Sequence, residues 1–190
     1  MKRREVLTLA SASVLGTAGC LGRTEYELGS PSVASIDGPL TLAIEVTDRR
    51  VTVDSPGELV LTISNESDRA VQVRNTGVWP LGLLALSPQG SDQMQRSLLL
   101  TDAYTDTDRV EVTPRSVEGS NEELVDSLNP SQSVTVPYRL DGARVRRTGV
   151  HDLQGYFEPP LLSVRGQGSE DWTTVTDAAT VEIAELSLLP

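Results

Sequence analysis

Few of the side chains that carry covalent chemistry are present: among 190 residues there is one histidine, His151, and one cysteine, Cys20. Nucleophilic catalysis of the serine or cysteine type needs an imidazole base, and only His151 could supply it. It stands in Val150-His151-Asp152, after the turn-like Thr148-Gly149, and reads as a surface histidine. No Gly-x-Ser-x-Gly elbow surrounds any serine, so acyl-transfer enzymes are nearly excluded. Zinc, haem and copper need several nitrogen or sulfur ligands, more than this chain offers. Calcium needs only oxygens, and Thr101-Asp102-Ala103-Tyr104-Thr105-Asp106-Thr107-Asp108 sets Asp102, Asp106 and Asp108 on an expected loop. The Asp-x-Asp-x-Asp-Gly order of a calcium loop is missing, which favours a solvated acidic loop. No cofactor is expected. Paired carboxylates for glycoside hydrolysis exist by residue type, but the aromatic supply for a sugar platform is thin.

Asn65-Glu66-Ser67 is an N-glycosylation sequon; alternatively Asn65 only shapes a turn. Trp79-Pro80 and Tyr156-Phe157-Glu158-Pro159-Pro160 gather aromatic side chains next to prolines. Such spots anchor protein partners, or plug the end of a core.

Charge narrows the partners. The net formal charge is −11, and Lys2, Arg3, Arg4 and Glu5 all lie at the N-terminus. From Cys20 onward there are 13 arginines, 26 acidic residues and no lysine, a formal −13. Nucleic acid and anionic membrane both need clustered positive charge, so neither is an expected partner. Dense carboxylate suits concentrated salt, where the screening length falls to about 3 Å and self-repulsion fades.

The N-terminus reads as an address. A basic patch, Met1-Lys2-Arg3-Arg4-Glu5, precedes an apolar, small-residue run over residues 6–18 and then Gly19-Cys20. That is the build of a signal peptide. Thirteen residues rise only about 20 Å as a helix, short of a bilayer core of roughly 30 Å. Arg3-Arg4 followed by Val6-Leu7 resembles the twin-arginine export signal. Thr17-Ala18-Gly19-Cys20 resembles the lipobox of secreted lipoproteins, with Thr17 where an aliphatic residue is usual. The resemblance implies that the Cys20 thiol takes a diacylglyceryl-type lipid and becomes the first residue. With the acidic, lysine-free remainder, the chain resembles twin-arginine-exported lipoproteins of halophilic archaea.

The elements that must carry any site read as strands. Residues 21–38, rich in Gly, Ser, Pro and acidic residues, suggest a tether lifting a domain at 39–190 off the membrane. Leu40-Thr41-Leu42-Ala43-Ile44-Glu45-Val46 alternates with period two, as do Leu59, Leu61 and Ile63. Asn65-Glu66-Ser67-Asp68 is expected to close a hairpin, with Val71 and Val73 returning. This unit resembles immunoglobulin-like sandwich modules of secreted prokaryotic proteins. Val134-Thr135-Val136-Pro137 marks a further strand, at an edge or bulged because proline donates no ladder bond. Residues 79–86 and 97–100 are apolar without alternation, as in strands covered on both faces. Ser120-Asn121-Glu122-Glu123 has capping-box spacing and predicts one short helix. Residues 161–164, 172–175 and 179–183 complete the set, with Gly166-Gln167-Gly168-Ser169 as a hairpin turn. The expectation is an all-β, immunoglobulin-like antiparallel sandwich behind a flexible N-terminal tether.

For function, the sequence favours a non-enzymatic module lipid-anchored at the outer face of the cell membrane, binding or supporting an envelope protein partner. A transport accessory or a protein inhibitor is the alternative, with a carboxylate-based hydrolase behind both.

Overall fold

The computed structural model describes residues 24–186, apart from 37, 91–94, 114–115, 121, 158–159 and 177. The fold is all-β with antiparallel sheets stacked on a shared core, in keeping with a β-sandwich. The organising strand is β5 (Gly57–Asn65), whose residues alternate between buried and half-buried along their whole length. Leu59, Leu61 and Ile63 point inward, and Thr62 and Ser64 point outward. β5 lies between β3 (Leu40–Asp48) and β12 (Ser133–Leu140) in a three-stranded sheet. Outward hydroxyls pair across it, Thr62 to Thr135 at 2.9 Å and Ser64 to Ser133 at 2.7 Å. Pro137 sits in β12, an outer strand of this sheet, where its missing N–H costs no internal ladder bond.

A four-stranded sheet runs in the order β11 (Glu123–Leu128), β6 (Val71–Thr76), β14 (Leu162–Gly166), β15 (Thr173–Val175). Two expectations are corrected here. The segment after Asn65 does not close a hairpin: β5 and β6 belong to different sheets, and residues 66–70 carry the chain across. The expected short helix is a strand. β11 pairs with β6 from Glu123↔Thr76 to Leu128↔Val71, so tertiary ladder bonds override the capping-box spacing.

The seven-stranded sheet is ordered β4 (Arg50–Val51), β1 (Glu25–Leu28), β16 (Ala179–Leu186), β13 (Gly149–Gly155), β7 (Leu84–Pro88), β8 (Ser97–Leu98), with β2 (Ser32–Val33) also on β16. β7 is buried along its length, as a strand covered on both faces should be. Residues 79–83 before it instead form a turn containing the cis Trp79–Pro80 bond. A two-stranded ribbon, β9 (Val110–Val112) with β10 (Val117–Gly119), completes the set of described strands.

β1 revises the tether expected over 20–38. Glu25 to Leu28 pair with Leu186 to Ile183, and the Leu28 N–H donates to the Arg49 carbonyl at 2.8 Å. Leu28 is fully buried and packs over Gly57, where a Cβ would stand 2.9 Å from Leu28 Cδ1 and 2.6 Å from Val51 Cγ2. The folded unit therefore includes β1. The signal-peptide and lipobox residues, with Arg3, Arg4 and Cys20, lie outside the described residues.

Candidate ligand-binding face

The structure disperses the residues that sequence singled out. His151 is not on the surface: it sits in β13 between β16 and β7 and is fully buried. Its Nδ1 lies 2.8 Å from the Gly149 carbonyl oxygen. Burial holds its pKa below the ordinary histidine value, against opposing pulls from the Gly149 and Arg147 backbone and from Asp152. Among the described residues no nucleophile lies within hydrogen-bond distance of it, and its burial favours the neutral ring.

Asp102 opens a 3₁₀ turn, Asp102–Tyr104, and its exposed carboxylate pairs with Arg139. Asp106 and Asp108 are exposed. No three acidic, histidine or cysteine residues converge closely enough to hold a cation among the described residues. The Asn65 side chain is buried, and its amide nitrogen donates to the carbonyls of Arg69 (2.7 Å), Leu128 (3.0 Å) and Asn129 (3.1 Å). That nitrogen is the atom a glycan would occupy, so in the folded protein the sequon is a structural joint. Trp79 and Tyr156 pack partly buried against the core. Phe157, 38% exposed, meets Tyr156 edge-on at 5.1 Å.

The concentration of binding chemistry lies elsewhere, on the outer face of the four-stranded sheet. In β6, Val71, Val73 and Asn75 are buried, so period two turns Gln72, Arg74 and Thr76 outward. Register then sets Ser163 opposite Arg74 and Arg165 opposite Gln72 on β14. On the other side of β6, Val125 lies opposite Arg74 and Ser127 opposite Gln72. Trp172 precedes β15, and both guanidinium carbons stand over its ring, Arg74 at 4.6 Å and Arg165 at 4.5 Å from the centroid. Such contacts fix two long side chains that would otherwise move freely.

The two arginines differ in their partners. Arg74 Nη1 lies 3.3 Å from the Glu123 carboxylate. Arg165 has no carboxylate partner among the described residues: its Nε donates to Gln72 Oε1 at 3.0 Å, and its Nη2 donates to the same oxygen. The Nη1 edge of the fork is left without a protein acceptor among the described residues.

Two concavities flank this row. A pocket of about 260 Å³ is lined by Arg165, Gln72, Ser127, Gln167 and Ser169. The turn Gly166-Gln167-Gly168-Ser169 closes one side, as a hairpin turn joining β14 to β15 should, with Gly168 at φ +87°. A second pocket, about 160 Å³, lies toward the other end and includes Arg74, Asn75, Glu123 and Ser163. Asn75 is buried beside it, its amide nitrogen donating to the Pro80 carbonyl and its Oδ1 without a hydrogen bond.

Sequence reasoning did not find this face. The alternation Val71-Gln72-Val73-Arg74 was readable as strand, but partners more than 90 residues away in sequence set its meaning (Gln72 with Arg165).

No curated protein matches the chain. Over residues 1–190 it matches the family model described as "Domain of unknown function (DUF8130)". The chain is a member of that family, DUF8130.

Proposed function

We propose that this chain is an exported, lipid-anchored surface module that binds an envelope partner through the outer face of its four-stranded sheet. The observation that carries the binding reading is Arg165. Among the described arginines, Arg50, Arg74, Arg109 and Arg139 pair with a carboxylate. Arg165 is instead held ready by Gln72 and Trp172 with its fork open beside a polar pocket. A side chain fixed before contact loses little rotamer entropy on binding, which favours affinity.

The address rests on the basic patch, the apolar run and Cys20. β1 begins at Glu25, five residues after Cys20. Five extended residues reach at most about 17 Å, so an anchored domain would sit close against the membrane. A two-chain lipid would hold it there stably, where a single acyl chain binds only marginally.

The test is fractionation of the full-length chain and its Cys20→Ser variant in a host with twin-arginine export. The wild type is expected in the membrane fraction and the variant in the medium. Membrane retention of the variant would rule out the thiol as the anchor.

A further inference from the structure

The open edge of Arg165 specifies the chemistry it takes. We infer that Arg165, with the pocket formed by Gln72, Ser127, Gln167 and Ser169, is a subsite for a carboxylate presented by an acidic polypeptide partner. This rests on the binding reading given above and adds the chemistry to it.

A guanidinium has five N–H donors in a planar fork. Gln72 Oε1 accepts from Nε and from Nη2, which uses the side edge of that fork. What remains is the end-on edge, Nη1 with the second N–H of Nη2. Two parallel donors on one edge match the two oxygens of a carboxylate, and this bidentate contact is among the stronger hydrogen-bonding arrangements. Ser127 lines the same pocket and offers a hydroxyl donor to any oxygen left over, while the Ser169 hydroxyl donates to the Asp171 carbonyl at 3.4 Å. No acidic side chain lines the pocket among the described residues.

Local electrostatics point the same way. Arg74 and Arg165 both stand over the Trp172 ring, so two like charges share one small area. Among the described residues the one carboxylate within ion-pair distance of either is Glu123, largely exposed and on the Arg74 side. An incoming anion relieves this repulsion, while a cation would add to it. The acidic balance of the chain repels carboxylates in general, which favours approach where two arginines stand together.

The choice of polypeptide over an acidic sugar follows from Trp172. Saccharides dock by stacking on exposed aromatic faces, and this ring already carries two guanidinium groups. The neighbouring exposed Val125, 48% accessible, adds an apolar contact beside the charged centre, as protein interfaces commonly have.

The experiment uses the purified full-length chain in detergent micelles, titrated with poly-L-glutamate, with glutarate as a small carboxylate and with poly-L-lysine as control. Poly-L-glutamate is expected to bind, poly-L-lysine not to bind, and Arg165→Gln to weaken the polymer at least tenfold. Arg50→Gln, which removes an exposed cation on the far seven-stranded sheet, should leave binding unchanged. Ser127→Asp provides a second variant with Arg165 intact, since its own carboxylate would occupy the fork and lower affinity similarly. Glutarate binding as tightly as the polymer, per carboxylate, would overturn the polypeptide source. Equal polymer affinity in wild type and Arg165→Gln would overturn the subsite altogether. The subsite fails separately from the broader reading: an envelope partner retained equally by wild type and Arg165→Gln sinks the subsite and leaves the binding module standing. Retention of the partner by an Arg74→Glu/Val125→Glu variant would overturn this face as the docking surface, and loss of the partner is expected.

Discussion

The amide nitrogen of Asn65 donates to the Leu128 carbonyl at 3.0 Å, joining the last residue of β5 to the last residue of β11. These strands belong to different sheets, so one side chain pins the crossing point of the sandwich. The Asn65 carbonyl oxygen also accepts from Ser131 N–H at 3.0 Å, and its Oδ1 accepts from Ser67. In Asn65→Ala the Arg69 and Asn129 carbonyls keep Ser67 Oγ and Gln132 N–H as donors, while the Leu128 carbonyl loses the buried amide of Asn65. We expect a loss of about 1–3 kcal/mol in urea unfolding at fixed salt, the scale of one buried group left without that bond. The intact mass of the exported protein should show no glycan at Asn65. A glycosylated, equally stable protein would contradict the joint.

Leu28 gives the second prediction. A residue in a free tether can be changed with an effect within about 0.5 kcal/mol. Leu28→Ala should instead cost about 2–5 kcal/mol, as for a buried leucine whose site cannot collapse. Gly57→Ala should cost about 1–3 kcal/mol by forcing a methyl against Leu28 and Val51. Chemical denaturation of each variant checks both, and a midpoint unchanged in Leu28→Ala would return β1 to the tether.

Much of this architecture was legible because half-buried strands write their burial into sequence. Leu59, Leu61 and Ile63 show the period-two pattern, and each is fully buried. β7 and Pro137 were readable for related reasons: unbroken apolarity means cover on both faces, and a missing N–H means an edge. Pairing was not legible. Asn65-Glu66-Ser67-Asp68 has turn chemistry whether the next strand returns beside β5 or crosses to the other sheet. Ser120 and Glu123 have helix-start spacing, yet the ladder to β6 outweighs a weak local preference. Four residues of β1, flanked by Gly29 and Pro31, are too short a pattern to separate from a linker. The proposed binding face was hidden for the same physical cause: Gln72, Arg165 and Trp172 meet through register.

His151 makes stability depend on pH. Its folded pKa lies below the unfolded value of about 6.5, because burial disfavours the charged ring. The unfolded chain therefore binds the proton more readily, and the neutral ring's contribution is fully present above about pH 6.5. It is lost as pH falls toward the depressed folded value. The thermal stability of wild type should fall from pH 7.5 to 5.5 relative to His151→Gln, measured in one salt. Parallel pH profiles for the two proteins would contradict this.

Trp172 separates packing from function. It is half-buried, and its contacts with Arg74 and Arg165 are partly exposed, each worth about 0.5–1 kcal/mol. Trp172→Ala should lower stability by about that amount for each contact while releasing both guanidinium groups. Poly-L-glutamate affinity should fall more than stability does, because the fork is no longer held in place. Unchanged affinity would show that the ring does not prepare the site.

The anchored, exported state is tested most directly by the intact mass of the protein extracted from membranes. The account predicts a chain that starts at Cys20 and carries the added mass of a lipid on that residue. A full-length chain starting at Met1, unlipidated and recovered from the cytoplasm, would contradict it.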